Sequence, residues 1–184
     1  MGLHRKINWS FVLLYFVVIL CSSFSNYENV LYKNILKKVK KEISKVFVLE
    51  DFELNPVQIQ PINELTADFS GNRLLEISSN DIKLGYAYVG TAPSKTETFE
   101  YLVLFDNQFV IKKAKVLLYR ESWGGEIGSK RWLKQFLLKG TNHKFIYRQN
   151  ISAISGATRS VKSMTNAVNE LLSSLNFLIQ NKII

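Results

Sequence analysis

Val161, Met164, Val168, Leu171, Leu172, Leu175 and Leu178 recur at three- and four-residue steps. That period predicts an amphipathic helix from about Ser160 to Ile179. A second helical pattern lies near the start, where Leu31, Ile35, Val39 and Ile43 repeat every four residues and predict a helix from Asn26 to Phe47. Between these two the pattern shortens. Asn55-Pro56 and Gln60-Pro61 forbid a long helix and leave an extended or edge segment, and Asp68 to Asn72 (DFSGN) reads as a turn. Arg73–Ser78 leads through Asn80-Asp81 into Ile82–Val89, and Phe99–Phe105 leads through Asp106-Asn107 into Phe109–Tyr119. Strands joined by such short turns are antiparallel. Thr91 to Thr98 reads as a polar loop between the hairpins, and Ser129 to Leu138 as a short helix with Trp132, Leu133, Phe136 and Leu137 on one side. The expected fold is α+β, a twisted antiparallel sheet packed by helices.

The N-terminus changes the picture. His4, Arg5 and Lys6 precede an apolar decapeptide, Phe11 to Leu20, and then the small and polar run Cys21-Ser22-Ser23-Phe24-Ser25. A basic stretch, a short apolar stretch and small residues at Ser23 and Ser25 form a secretory signal, with cleavage expected after Ser25. Ten apolar residues are fewer than the roughly 20 that span a bilayer as a helix, although an uncleaved anchor recruiting its flanks is the alternative. The expected organisation is a signal or anchor over 1–25, an amphipathic helix and extended segment over 26–70, and a domain over 71–184. An extracytoplasmic location follows.

Composition removes several chemistries. Cys21 is the only cysteine, and His143 the only histidine beyond the expected signal. A processed chain therefore has no disulfide, iron–sulfur cluster, thiolate zinc site or attached haem. The formal charge is +9, with Lys37, Lys38, Lys40, Lys41 and Lys45 concentrated on the first helix. Such a cluster suits a solvated face or an anionic membrane surface. No nucleic-acid motif accompanies it, and no nucleic-acid partner is expected.

Ser155-Gly156-Ala157-Thr158 stands immediately before the last predicted helix. It brings two hydroxyls and two very small residues to a helix N-terminus, where unpaired amides favour phosphate, and Arg159 adds a cation. Routine capping by Ser or Thr would explain the same tetrapeptide. The segment Ser152-Ala153-Ile154-Ser155-Gly156-Ala157-Thr158 nonetheless resembles the D-x-x-[ST]-G-A-[TS] motif of the FMN-binding domain found in periplasmic subunits of sodium-pumping NADH:quinone reductase and of Rnf-type electron-transport complexes. A second stretch, Val116 to Tyr119 running into Arg120-Glu121-Ser122-Trp123-Gly124-Gly125-Glu126-Ile127-Gly128, is similar to that family's strand and Glu-Thr-Pro-Gly-like turn near the flavin. The resemblance covers roughly residues 80 to 176. It implies FMN as cofactor, Thr158 as acceptor of a phosphoester formed by an FAD:protein FMN transferase, and electron exchange with a membrane redox partner. The family's Asp is Ser152 here, so covalent and non-covalent FMN both remain open.

A flavin ring wants an apolar wall and nearby groups that tune its potential. Trp123 is the candidate wall, with Gly124 and Gly125 allowing close approach. Glu121 is a candidate acceptor for ring or ribityl groups, and Lys130 and Arg131 are candidate phosphate cations. No metal site and no acid–base pair are expected. The leading reading is an FMN-carrying extracytoplasmic electron-transfer protein. An extracytoplasmic binding or assembly module without flavin, and a small flavin reductase with a soluble substrate, are the alternatives.

Overall fold

Each strand pairs with the next along the chain, giving an antiparallel sheet of order β1-β2-β3-β4-β5. The strands are β1 (Glu53–Pro56), β2 (Leu74–Ser79), β3 (Ile82–Pro93), β4 (Thr98–Asp106) and β5 (Ile111–Leu118). This computed structural model describes residues 32–184, so the signal expected over 1–25 and the start of the first helix lie outside the described residues. Contacts divide the chain into Met1–Lys38 and Val39–Ile184. Residues 32–47 are helical (α1), and everything below concerns the second unit.

Local chemistry sets the turns. Asn80 and Asp81 both take positive φ, 50° and 61°, as the tight β2–β3 hairpin requires. In the 68–72 turn, Asp68 Oδ1 accepts from the Ser70 amide at 2.9 Å. β1 ends at Pro56 on the sheet edge, where a missing amide costs no ladder bond. The polar loop expected over 91–98 is shorter: β3 runs on to Pro93, and Pro93 pairs with Thr98. Only 94–97 turn, because a distant carboxylate satisfies their polar groups, as described below.

β4 is buried without a break from Phe99 to Phe105, so both faces of the sheet are covered. Phe99, Tyr101, Val103 and Phe105 join one core with Val161, Met164, Val168, Leu171, Leu172 and Leu175 of α3 (Thr158–Gln180). The alternation of a strand puts Leu102 and Leu104 on the other face. There Leu75, Ala87, Leu104 and Lys113 stand in one cross-strand row. Glu42 of α1 reaches that row through an ion pair with Lys113 at 2.7 Å, and Val39 and Ile43 beside it are wholly buried. Burial pushes the Glu42 pKa up, but the Lys113 hydrogen bond and charge outweigh it, and the net shift is downward.

The short helix expected over 129–138 is a single turn, α2 (Lys130–Leu133), continued by a 3-10 turn at Lys134–Phe136. Ser129 caps it by accepting from the Trp132 amide. Trp132, Leu133 and Phe136 are buried as expected. Leu138 takes positive φ, and its amide bonds Ile111, which stops the helix against β5.

Candidate functional site

The site begins where β5 ends. Arg120 is clamped by a two-pronged ion pair with Glu100 at 2.8 Å per contact and also donates to the Thr98 carbonyl. The next residue, Glu121, turns both oxygens toward the β3–β4 turn. Oε1 accepts from the Ser94 hydroxyl at 2.6 Å, the Thr96 amide at 2.7 Å and the Glu97 amide at 3.2 Å. Oε2 accepts from the Thr96 hydroxyl at 3.0 Å. The Ser94 hydroxyl, then the Thr96 amide, stabilise the carboxylate and bring its pKa down to about 2. Glu121 thus has an internal task that its sequence position did not announce.

Gly124 follows at φ 77°, a left-handed conformation. A Cβ there would lie 2.5 Å from the Cβ of Ala157. The glycine-rich turn and the Ser155–Thr158 segment are therefore in direct contact, and only glycine fits on the turn side. Gly156 also takes φ 77°, and a Cβ there would meet open space. Backbone conformation explains this glycine, and the space beside it stays free for a ligand.

α3 starts two residues earlier than its apolar pattern suggests. Ala157 is the N-cap and no side chain caps the helix, so the capping explanation of Ser155 and Thr158 does not hold. Thr158 is the first helical residue and is exposed. Among the described residues its hydroxyl has no hydrogen-bond partner. The hydroxyls of Tyr119 and Ser160 meet at 3.0 Å and tie the end of β5 to this first turn.

These pieces enclose an open cleft of about 270 Å³. Gly156 to Ser160 form one wall, while Tyr119, Glu121 and Trp123 form another, with Lys95 from the β3–β4 turn. Trp123 is 81% exposed and presents a bare indole to the cleft. Among the described residues no His, Cys, Asp or Glu cluster could hold a metal ion, and no helix is long and apolar enough to cross a membrane.

Residues 95–173 match the family model of the FMN-binding domain. Over that stretch the chain is similar to the FMN-binding domain. FMN is the cofactor this domain takes, and the matched stretch runs from the β3–β4 turn through most of α3. No curated protein matches the chain.

The residues present fit FMN. The uncapped amides of α3 and Arg159 suit its phosphate, and the unshielded Gly156 and exposed Trp123 suit a flat ring. Of the residues singled out from sequence, Thr158, Gly156, Ala157, Arg159, Glu121 and Trp123 line this cleft together, and Gly124 touches it through Ala157. Ser155 and Gly125 do not line it. Ser155 belongs instead to a separate groove of about 630 Å³ with Ser152, Arg131 and Trp132. Lys130 lines neither, and Arg131 serves only the groove. In that groove Gln135 accepts from the Ser152 amide at 2.8 Å, and the Trp132 indole donates to the Ser152 carbonyl at 2.9 Å. Sequence reasoning missed Lys95, Tyr119 and Ser160. Tyr119 was visible as the aromatic end of a strand, but nothing local marks Lys95.

Proposed function

We propose that the protein is an extracytoplasmic electron carrier whose FMN is esterified to Thr158. The observation that carries this reading is an exposed, unpartnered Thr158 hydroxyl in the uncapped first turn of α3, inside the cleft. A transferase acting on FAD would join Thr158 Oγ to the flavin-side phosphorus; the bond to AMP breaks, AMP leaves, and the hydroxyl proton is released. When bound, FMN supplies one- or two-electron redox chemistry. The chain's own residues hold the phosphate at α3, give the ring an aromatic face at Trp123, and leave one side open to a redox partner. The cleft holds no histidine or cysteine, which favours a carrier over a stand-alone catalyst.

The test is intact mass and in-gel fluorescence of denatured protein made with a flavin transferase and exported. Wild type should retain flavin after denaturation and Thr158→Ala should not. A fluorescent alanine variant would overturn the acceptor assignment. Fractionation of the same cells tests the location: the flavin-bearing form is expected outside the cytoplasmic membrane or attached to its outer face.

Non-covalent FMN is the second reading, and Ser152 favours it. Ser152 stands where the resemblance expects Asp, and it faces the larger groove. If a missing acid limits modification, Ser152→Asp should raise the flavinylated fraction when transferase is scarce. An unchanged fraction would show that this chain is recognised by other groups.

A further inference from the structure

The β3–β4 turn is fastened on two sides. Ser94, Thr96 and Glu97 all donate to Glu121. Just before them, the Pro93 carbonyl accepts a short hydrogen bond from the Ser163 hydroxyl, within the second turn of α3. Lys95 sits between these two ties, and among the described residues its ammonium has neither ion pair nor hydrogen bond. It nevertheless lines the cleft with Thr158 and Arg159. Holding a lysine in a tightly bonded four-residue turn, without giving it an internal partner, leaves it available to a ligand.

The charges of the cleft identify that ligand's chemistry. Lys95 and Arg159 bring two positive charges, and Glu121 is the one carboxylate among the lining residues. Both Glu121 oxygens are engaged by the turn itself, so its charge is committed there. The Pro93–Ser163 bond presses the turn against the start of α3, where the helix amides already favour an anion. Trp123, by contrast, arrives from the end of β5. The aromatic and cationic contributions thus come from different elements, one suited to a ring and the other to a phosphate.

We propose that Lys95 is the second cation of the phosphate subsite, reaching the FMN phosphate from the hairpin while Arg159 reaches it from the helix. Glu121 is then a positioning residue that holds the turn, and not a ligand of the flavin. This rests on the FMN reading of the cleft at Thr158.

The experiment uses the full chain made without transferase and titrates it with FMN and with riboflavin, which lacks the phosphate. Wild type is expected to prefer FMN. Lys95→Gln should weaken FMN on the order of fivefold, the size of a partly exposed ion pair, leave riboflavin unchanged, and flatten the salt dependence of FMN binding. Lys95→Arg should restore the preference. Glu121→Gln, with Lys95 intact, should narrow the FMN-to-riboflavin ratio in the same direction. If Lys95→Gln leaves the ratio unchanged, or weakens both ligands equally, Lys95 is not a phosphate cation, although the Thr158 site stands. An unchanged ratio in Glu121→Gln removes the positioning role. A wild-type chain that binds neither ligand, or both alike, overturns the phosphate-site reading itself and Lys95 with it.

Discussion

At the level of single residues, three aromatic or glycine positions have separable jobs. Trp123 is exposed at the cleft while Trp132 is 5% exposed and packs edge-on against Phe136 at 5.3 Å. Stacking on an aromatic ring is worth about 0.5–1.5 kcal/mol beyond burial. Trp123→Ala should therefore keep the fold and the flavin, brighten native flavin emission and shift the midpoint potential; unchanged emission and potential would remove Trp123 from the ring's surroundings. Trp132→Ala should instead lose about 3–5 kcal/mol of stability in a denaturant titration. Gly124→Ala meets both a strained φ and the Ala157 methyl, so it should disturb flavin binding more than overall stability. The double variant Gly124→Ala with Ala157→Gly removes the clash and should recover part of the loss. Thr158, Gly124 and Trp123 could be singled out because small or aromatic residues in an ordered motif are conspicuous, and the structure brings them to one cleft. Lys95 was not singled out, since its place at the cleft depends on the bonds between its turn and Glu121, 26 residues downstream, and nothing in the sequence marked those bonds at Glu121.

Among the elements, the β3–β4 turn carries a clear electrostatic signature. The Glu121 pKa lies at about 2 in the folded chain against an ordinary 4.5. A depressed carboxylate contributes fully above its unfolded value, and that contribution fades as pH falls through the folded value. The turn should thus stay latched well below pH 4.5 and release near pH 2. NMR titration of the Thr96 and Glu97 amides reads this directly: their shifts should move together near the folded pKa, and Glu121→Gln should abolish that step. A step at the ordinary glutamate pKa would show that the latch does not form. Strand and helix periods were readable, but the ends were not. β3 and β4 extend into a stretch whose polar composition suggests a loop, and Glu121 bonds the polar groups of the short turn, 94–97, that remains. α3 begins before its apolar stripe does, because its first turn faces the cleft and has nothing to bury.

For the folded unit as a whole, β4 lies between two covered faces. The α+β class, the hairpins and the terminal helix were legible from periodicity, whereas the coverage of the second face by the 39–47 part of α1 was not, since a lysine-rich helix gives no hint that Glu42 would pair with Lys113. Leu104 is wholly buried on that second face, away from the cleft. Leu104→Ala should cost about 2–5 kcal/mol in denaturant unfolding and leave flavin affinity and potential alone; a shifted potential would show that the two faces are coupled. If Thr158 carries the flavin as proposed, its position has a consequence for how current flows. It sits in the first turn of a 23-residue helix, with Ser160 and Val161 buried immediately behind it. A flavin fixed there has no swinging arm, only the few bonds of its own side chain and phosphate. It cannot commute between donor and acceptor; each must come to it. On that reading, electron delivery is paced by encounters between molecules, and turnover should slow in proportion as the medium is made more viscous.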